Sequence, residues 1–360
     1  MIRIGWNNSS KHFGSKLAFE KPDRLEFCID GLIENFNPEI LIKPFDDFIS
    51  NPLYLESLEL VNSIHTKKHI DTIKDYKTKQ IKCRRCEKTT QCSEPIGFTS
   101  FLESNKICQF CSNSFDLNNI YCFTSIDTYY TPNTFDVALE AVGTIKRLLD
   151  WLWISSDSAN GCSYAFALVR PPGHHCANDP NGFCIFNNVF AGTKYAQSLG
   201  WKKVLILDVD FHHGDGTEKL IRAASDPNIS FVSIHGYGDL IYPGTGKLSA
   251  PDDNILNIPL EITQDERSRL YITDEFYQGV LNTQVFPFVL AQNPDLIIIS
   301  LGFDAHQNDP LEGLNITDST YLFLAEKLKE FNKPLLFVME GGYNVKTIRR
   351  IIPKMIEVFG

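Results

Sequence analysis

The stretch 204–217, VLILDVDFHHGDGT, constrains the chain more than any other. Val204, Leu205, Ile206, Leu207 and Val209 form a short apolar run broken by Asp208 and Asp210. Such a run suits a strand buried on both faces, as in a parallel sheet. Side chains repeat every two residues along a strand, so Asp208 and Asp210 point the same way. Buried carboxylates are costly unless paired or bound to a cation. His212, His213 and Asp215 follow at once, in the place where open parallel sheets collect ligands, beyond the carboxyl ends of the strands.

Three other apolar runs end in the same manner. FALVR at 166–170 leads into the PPGHH loop, with His174 and His175. LIIISL at 296–301 is followed by GFDAHQNDP, with Asp304. LLFVM at 335–339 is followed by EGGYN, with Tyr343. Further strands are expected at 2–5 and 229–235. Helical spacing appears at 25–35, 64–76 and 186–199, along TFDVALEAVGTIKRLLDWLW, and from 345 to the last residue. The alternation predicts an α/β fold with an open, mostly parallel sheet and helices on both faces. Its carboxyl edge would bring all four polar clusters into one crevice.

Asp210, His212 and Asp304 make three N/O ligands with a coordination position left open, the pattern of catalytic zinc. His174 and His175 are candidate bases, with Asp208 and Asp215 available to fix their tautomers. Tyr343 lies in a Gly-Gly turn and can donate to a developing oxyanion. This kit suits amide hydrolysis. His213 reads as a packing residue or a support behind its neighbouring ligand, and His12, His65 and His69 as ordinary helix or loop residues. Cys176 and Cys184 flank the histidine loop and read as packing. His306 and Asp309 follow Asp304 without the bridging carboxylates that a second metal would need.

RPPGHH, GFCIFNN, LDVDFHHGDGT, YPGTG, SLGFDAHQNDPL and EGGYN, in this order, closely resemble the histone deacetylase and acetylpolyamine amidohydrolase family, nearer its class II branch. The resemblance implies the arginase/deacetylase α/β fold. It implies zinc on Asp210, His212 and Asp304. His175 would be general base and acid, and His174 its electrostatic neighbour. Asp208 and Asp215 would partner His174 and His175 respectively, and Tyr343 would polarise the carbonyl. Gly182, Phe183 and Tyr242 match the walls that grip an acyl-lysine stem, and Asp127 a rim residue that bonds the substrate backbone. Potassium would sit on Asp208, Asp210, His212, Ser233 and Ile234. The implied activity is removal of acetyl groups from Nε-acetyl-lysine of proteins, histone tails foremost. Acetylated polyamines, or a non-catalytic acetyl-lysine reader on the same fold, are the alternatives.

The segment 77–125 stands outside the resemblance and interrupts a domain that otherwise runs 1–360. It carries CRRC at Cys83 and Cys86 and CQFC at Cys108 and Cys111. Paired knuckles at this separation are the pattern of a structural zinc site with four thiolates, which would stabilise a module too short for its own core. Cys92 is a bystander or an alternative ligand. The segment 67–88 holds nine basic residues against three acidic ones, in a chain of net charge −10. It is either a solvated face or a patch that docks nucleosomal DNA. The chain has ten cysteines and shows no apolar leader or membrane-length run. A soluble protein of a reducing compartment, nuclear or cytoplasmic, is therefore expected.

Overall fold

A computed structural model describes residues 1–12, 19–74, 80–82, 89–91, 128, 133–156, 162–247, 254–263 and 266–360. Its centre is an eight-stranded sheet. The strands are β1 (Ile2–Trp6), β2 (Leu41–Ile42), β5 (Tyr164–Leu168), β6 (Val204–Asp208), β7 (Ile229–Tyr237), β8 (Ile255–Glu261), β9 (Leu296–Leu301) and β10 (Leu335–Met339). They lie in the order β2-β1-β5-β10-β9-β6-β7-β8, and every pairing is parallel. A separate antiparallel hairpin, β3 (Gln80–Lys82) with β4 (Thr89–Gln91), brackets Cys83 and Cys86.

The central strands are mostly apolar because both faces are covered. On one face Leu205, Leu207, Ile297, Ile299, Phe337 and Phe166 share a core. On the other Val204, Ile206, Ile298, Val338 and Ala167 share a second. Strand periodicity thus sends alternate residues into different cores. The helices are α1 (Asp23–Asn35), α2 (Pro52–Ile64), α3 (Lys67–Lys74), α4 (Thr134–Ser156), α5 (Asn188–Leu199), α6 (Asp215–Ala224), α7 (Asp274–Val280), α8 (Phe286–Gln292), α9 (Asp318–Glu330) and α10 (Val345–Phe359). A π-helical turn at Leu281–Val285 joins α7 to α8.

Two asparagines of the sequence motifs start helices. Asn187, from GFCIFNN, accepts the N–H of Phe190 at 2.9 Å, and Asn344, from EGGYN, that of Thr347 at 3.1 Å. Each caps the donors exposed at a helix start. The motifs therefore fix helix entry as well as chemistry.

The expected helix over 64–76 is corrected. α2 ends at Ile64, and α3 begins at Lys67. Thr66 breaks the run because its hydroxyl accepts the N–H of His69 at 3.3 Å, a cap for α3. α2 itself was not expected, although Asn51-Pro52 is a helix-start signal and Asn51 accepts from Leu53 N at 3.0 Å. The strand expected at 166–170 sits two residues earlier. β8 was missed because Pro259 interrupts its pattern; Pro is tolerated there because β8 is an edge strand.

Candidate active site

β5, β10, β9 and β6 are consecutive neighbours in the sheet. The loops after them therefore meet, as expected from the sequence, and bring His174, His175, Tyr343, Asp304, Asp208, Asp210, His212 and Asp215 together. All are buried.

One ligand atom each from Asp210, His212 and Asp304 lies within 4.8 Å of the others. His212 Nδ1 is 3.1 Å from Asp210 Oδ1 and 3.0 Å from Asp304 Oδ2. Burial and the charge of Asp210 push Asp304 up to about 7. Two desolvated carboxylates beside one imidazole are a donor set that a divalent cation fits, since its charge removes that repulsion. The Gly341 N–H donates to Asp210 Oδ2 at 2.8 Å. A Cβ on Gly341 would come within 2.4 Å of Asp304 Oδ2, so only glycine permits this approach.

The two histidines are each held by a carboxylate. His174 Nδ1 is 3.0 Å from Asp208 Oδ2, and its Nε2 is 3.6 Å from Asp210 Oδ1. Burial lowers its pKa, but Asp210 and Asp208 outweigh burial and raise it to about 10. His175 Nδ1 is 2.8 Å from Asp215 Oδ1. Burial and the charge of His174 push His175 down to about 3, against Asp215. The surroundings thus favour the protonated form of His174 and the neutral form of His175.

Gly182, Phe183 and Tyr242 line the same space. Gly182 has φ +51°, and a Cβ there would meet His175 Cδ2 at 2.4 Å. The Phe183 ring is 5.7 Å from that of Tyr343, and the Tyr242 ring 4.9 Å from that of His175. Ser233 pairs with Asp208 in the β6–β7 register, and Ile234 follows it in β7. Asp127 lies outside the described residues, as do Cys83, Cys86, Cys92, Cys108 and Cys111. The next residue after Asp127, Thr128, accepts the N–H of Phe183 at 2.9 Å.

Several residues of the site were given no such role from the sequence, although Glu340 and Asp309 lie within the quoted motifs. Arg24 lies 4.9 Å from the Tyr343 ring centre, donates to Gly342 O at 2.6 Å and also donates to Glu340 O. Glu340 accepts the N–H groups of Gly173 at 2.7 Å and His174 at 3.2 Å, tying the histidine loop to the tyrosine turn. Asp309 accepts the N–H of Tyr343 at 2.7 Å. Glu20 binds Arg170 at 2.5 and 2.6 Å. Burial pushes the Tyr343 hydroxyl well above its ordinary pKa, with Arg24 opposing, so it remains a proton donor.

His12, His65 and His69 lie in helix or loop segments, and all three are buried. His65 Nδ1 is 2.5 Å from Ala177 O, and its Nε2 accepts from Asn187 N at 3.0 Å. His69 Nε2 donates to Ile185 O at 2.8 Å. With Cys176 these rings approach metal-ligand spacing, but both nitrogens of His65 are committed to the backbone. They clamp the 176–187 loop to α3. His213 bonds Glu218 at 2.9 Å and Thr245 at 2.8 Å.

Among the described residues no helix is long and apolar enough to cross a membrane. A family model for the histone deacetylase domain matches residues 18–359. Histone deacetylase 14, chloroplastic, of Arabidopsis thaliana is 36% identical over 245 residues, 65% of this chain and 55% of that protein. Type-2 histone deacetylase 2 of Dictyostelium discoideum is 29% identical over 93% of this chain but only 19% of its own length. The chain thus spans about half, or less, of these relatives. Among solved structures, the HDA15 HD domain superposes with TM-score 0.75 at 25% identity, covering 99% of this chain and 91% of that one. The acetylpolyamine aminohydrolase of Burkholderia pseudomallei shares the fold, with TM-score 0.73 at 17% identity over 99% of this chain and 98% of that one. With its all-parallel sheet of the arginase/deacetylase type and a domain match that spans nearly its whole length, the chain belongs to the histone deacetylase family.

Proposed function

We propose that this protein is a zinc-dependent hydrolase that removes acetyl groups from Nε-acetyl-lysine of proteins, with histone tails the leading substrate. The observation that carries the reading is the convergence of Asp210, His212 and Asp304 with two aspartate-held histidines and Tyr343 at four adjacent strand ends.

Asp210, His212 and Asp304 would hold the zinc. When bound, the ion polarises an acyl carbonyl and makes water more acidic. His175, neutral and oriented by Asp215, takes the proton from the attacking water at its Nε2. It then returns that proton to the departing lysine amine. His174 stays protonated on Asp208 and supplies positive charge beside the reacting centre. The Tyr343 hydroxyl donates to the carbonyl oxygen as negative charge grows there. Gly182, Phe183 and Tyr242 wall the lysine stem, and Asp127 bonds the substrate backbone. Asp208, Asp210, His212, Ser233 and the backbone oxygen of Ile234 would hold a potassium ion.

The insertion 77–125 binds a structural zinc through Cys83, Cys86, Cys108 and Cys111. The basic segment 67–88 contacts nucleosomal DNA, placing the enzyme with chromatin. A fluorogenic acetyl-lysine peptide, assayed with and without a chelator, tests the reaction. Turnover that chelation abolishes and zinc restores is the expected result. Chelator-insensitive turnover, or none, would refute it. Nucleosomes, acetylated histone peptide and acetylspermidine compared across a salt series test the substrate. A steep fall of nucleosome activity with salt is expected, whereas a preference for acetylspermidine would move the enzyme to polyamines.

A further inference from the structure

His212 turns Nδ1 towards Asp210 and Asp304, so its other nitrogen, Nε2, faces away from them. That nitrogen lies 3.5 Å from Glu312 Oε1, within ion-pair range. Glu312 stands in the loop after β9, in the run DPLEG, and is itself held firmly. Arg269 donates to Glu312 Oε2 at 2.7 Å and to the Glu312 carbonyl at 2.6 Å. Asp309 Oδ1 accepts the Leu311 N–H at 2.9 Å and the Glu312 N–H at 3.4 Å. The Gly313 N–H donates to Asp304 O at 2.9 Å. The guanidinium of Arg269 also lies 5.3 Å from the ring of Phe211, between Asp210 and His212 in the chain. The turn bearing Glu312 is therefore fixed to one candidate ligand and aimed at another.

A neutral imidazole that binds a metal through Nδ1 must carry its proton on Nε2. A carboxylate facing Nε2 accepts that proton's hydrogen bond, fixes the ring's orientation and makes Nδ1 a better donor. Such partners typically change metal affinity by about 10–100-fold. Resting on the reading of Asp210, His212 and Asp304 as the zinc site, we propose that Glu312 is a positioning residue for His212. Held by Arg269, it sets the imidazole tautomer and so the retention of the metal.

The test uses the full chain. Zinc affinity and dissociation rate are measured against a chromophoric chelator. Cobalt(II) uptake, followed by absorption, separates this site from the cysteines of the insertion, because thiolates give intense charge-transfer bands and carboxylates do not. Glu312→Gln should bind metal here roughly 10-fold more weakly, and Glu312→Ala about 10–100-fold. The metal-free melting temperature of the Gln variant should stay unchanged, which a merely structural role would not give. Arg269→Met should show a smaller loss in the same direction. If the Ala variant does not fold, the Gln variant decides. Affinity and dissociation rate equal to wild type in Glu312→Gln would overturn the proposal. A wild-type chain that takes up no cobalt outside the thiolate set would instead overturn the zinc reading, before any variant is made.

Discussion

His174 and His175 are consecutive, both buried, and each places Nδ1 on an aspartate, yet their surroundings favour the cation in one and the neutral ring in the other. His174 faces two carboxylates, Asp208 at 3.0 Å and Asp210 at 3.6 Å, and its pKa rises to about 10. His175 faces only Asp215, whose other oxygen is occupied by Lys219 at 2.6 Å, and it stands beside the charged His174. Its pKa falls to about 3. Burial is the same for both; the count of nearby charges decides. One dyad becomes a fixed cation and the other a base.

The largest consequence follows from Asp210, which serves both the candidate metal and His174. Asp210→Ala should abolish turnover and the catalytic metal together, as should Asp304→Ala, checked by kinetics and metal analysis. Full turnover in either variant would refute the ligand assignment. His175→Ala should lower kcat by roughly 10²–10⁴-fold, more than His174→Ala does at neutral pH. The reverse order would exchange the roles. Tyr343→Phe should cost about 10²-fold in kcat with KM nearly constant; a change in KM alone would move Tyr343 from the reaction to binding.

Both dyads also act on stability. The folded pKa of His174 is raised, so its contribution is complete below pH 6.5 and is lost as pH rises towards about 10. His12, His65, His175 and His235 are lowered to about 3, so each destabilises the fold as pH drops below 6.5. Melting temperatures of the metal-free protein should therefore fall on both sides of neutrality, and His174→Gln should flatten the alkaline slope. The smallest effect concerns Lys219, whose side chain is 61% exposed. Lys219→Met frees Asp215 to act on His175. It should shift the acid limb of kcat/KM upward by about half a unit.

These residues differ in how visible they were in the sequence. The four strand-end clusters could be read because apolar runs and short motifs are local signals, and the parallel sheet then required them to meet. Glu312, Arg24, Glu340, Asp309 and Glu20 could not be read so. Arg24, Glu20 and Glu312 look in sequence like solvated charges, and Glu340 and Asp309 like incidental members of their motifs; only the tertiary fold brings Glu20 to Arg170, Glu312 to Arg269, and the others to distant backbone groups. Arg24 sits on α1, far along the chain from the Gly342 and Glu340 carbonyls it binds. The burial of His65 and His69 was not legible for the same reason, since their partners lie on the 176–187 loop. The start of α2 was legible in Asn51-Pro52, whereas the break at Thr66 depends on a side-chain cap that competes with helix continuation.

The difference in charge between His174 and His175 can be observed directly. Nitrogen-15 NMR of histidine-labelled, zinc-loaded protein, with His174→Gln and His175→Gln used for assignment, reads the protonation of both rings. His174 should remain doubly protonated between pH 6 and 8 while His175 carries a single proton, on the nitrogen facing Asp215. A neutral His174 beside a protonated His175 over that range would contradict the division of roles on which the proposed reaction depends.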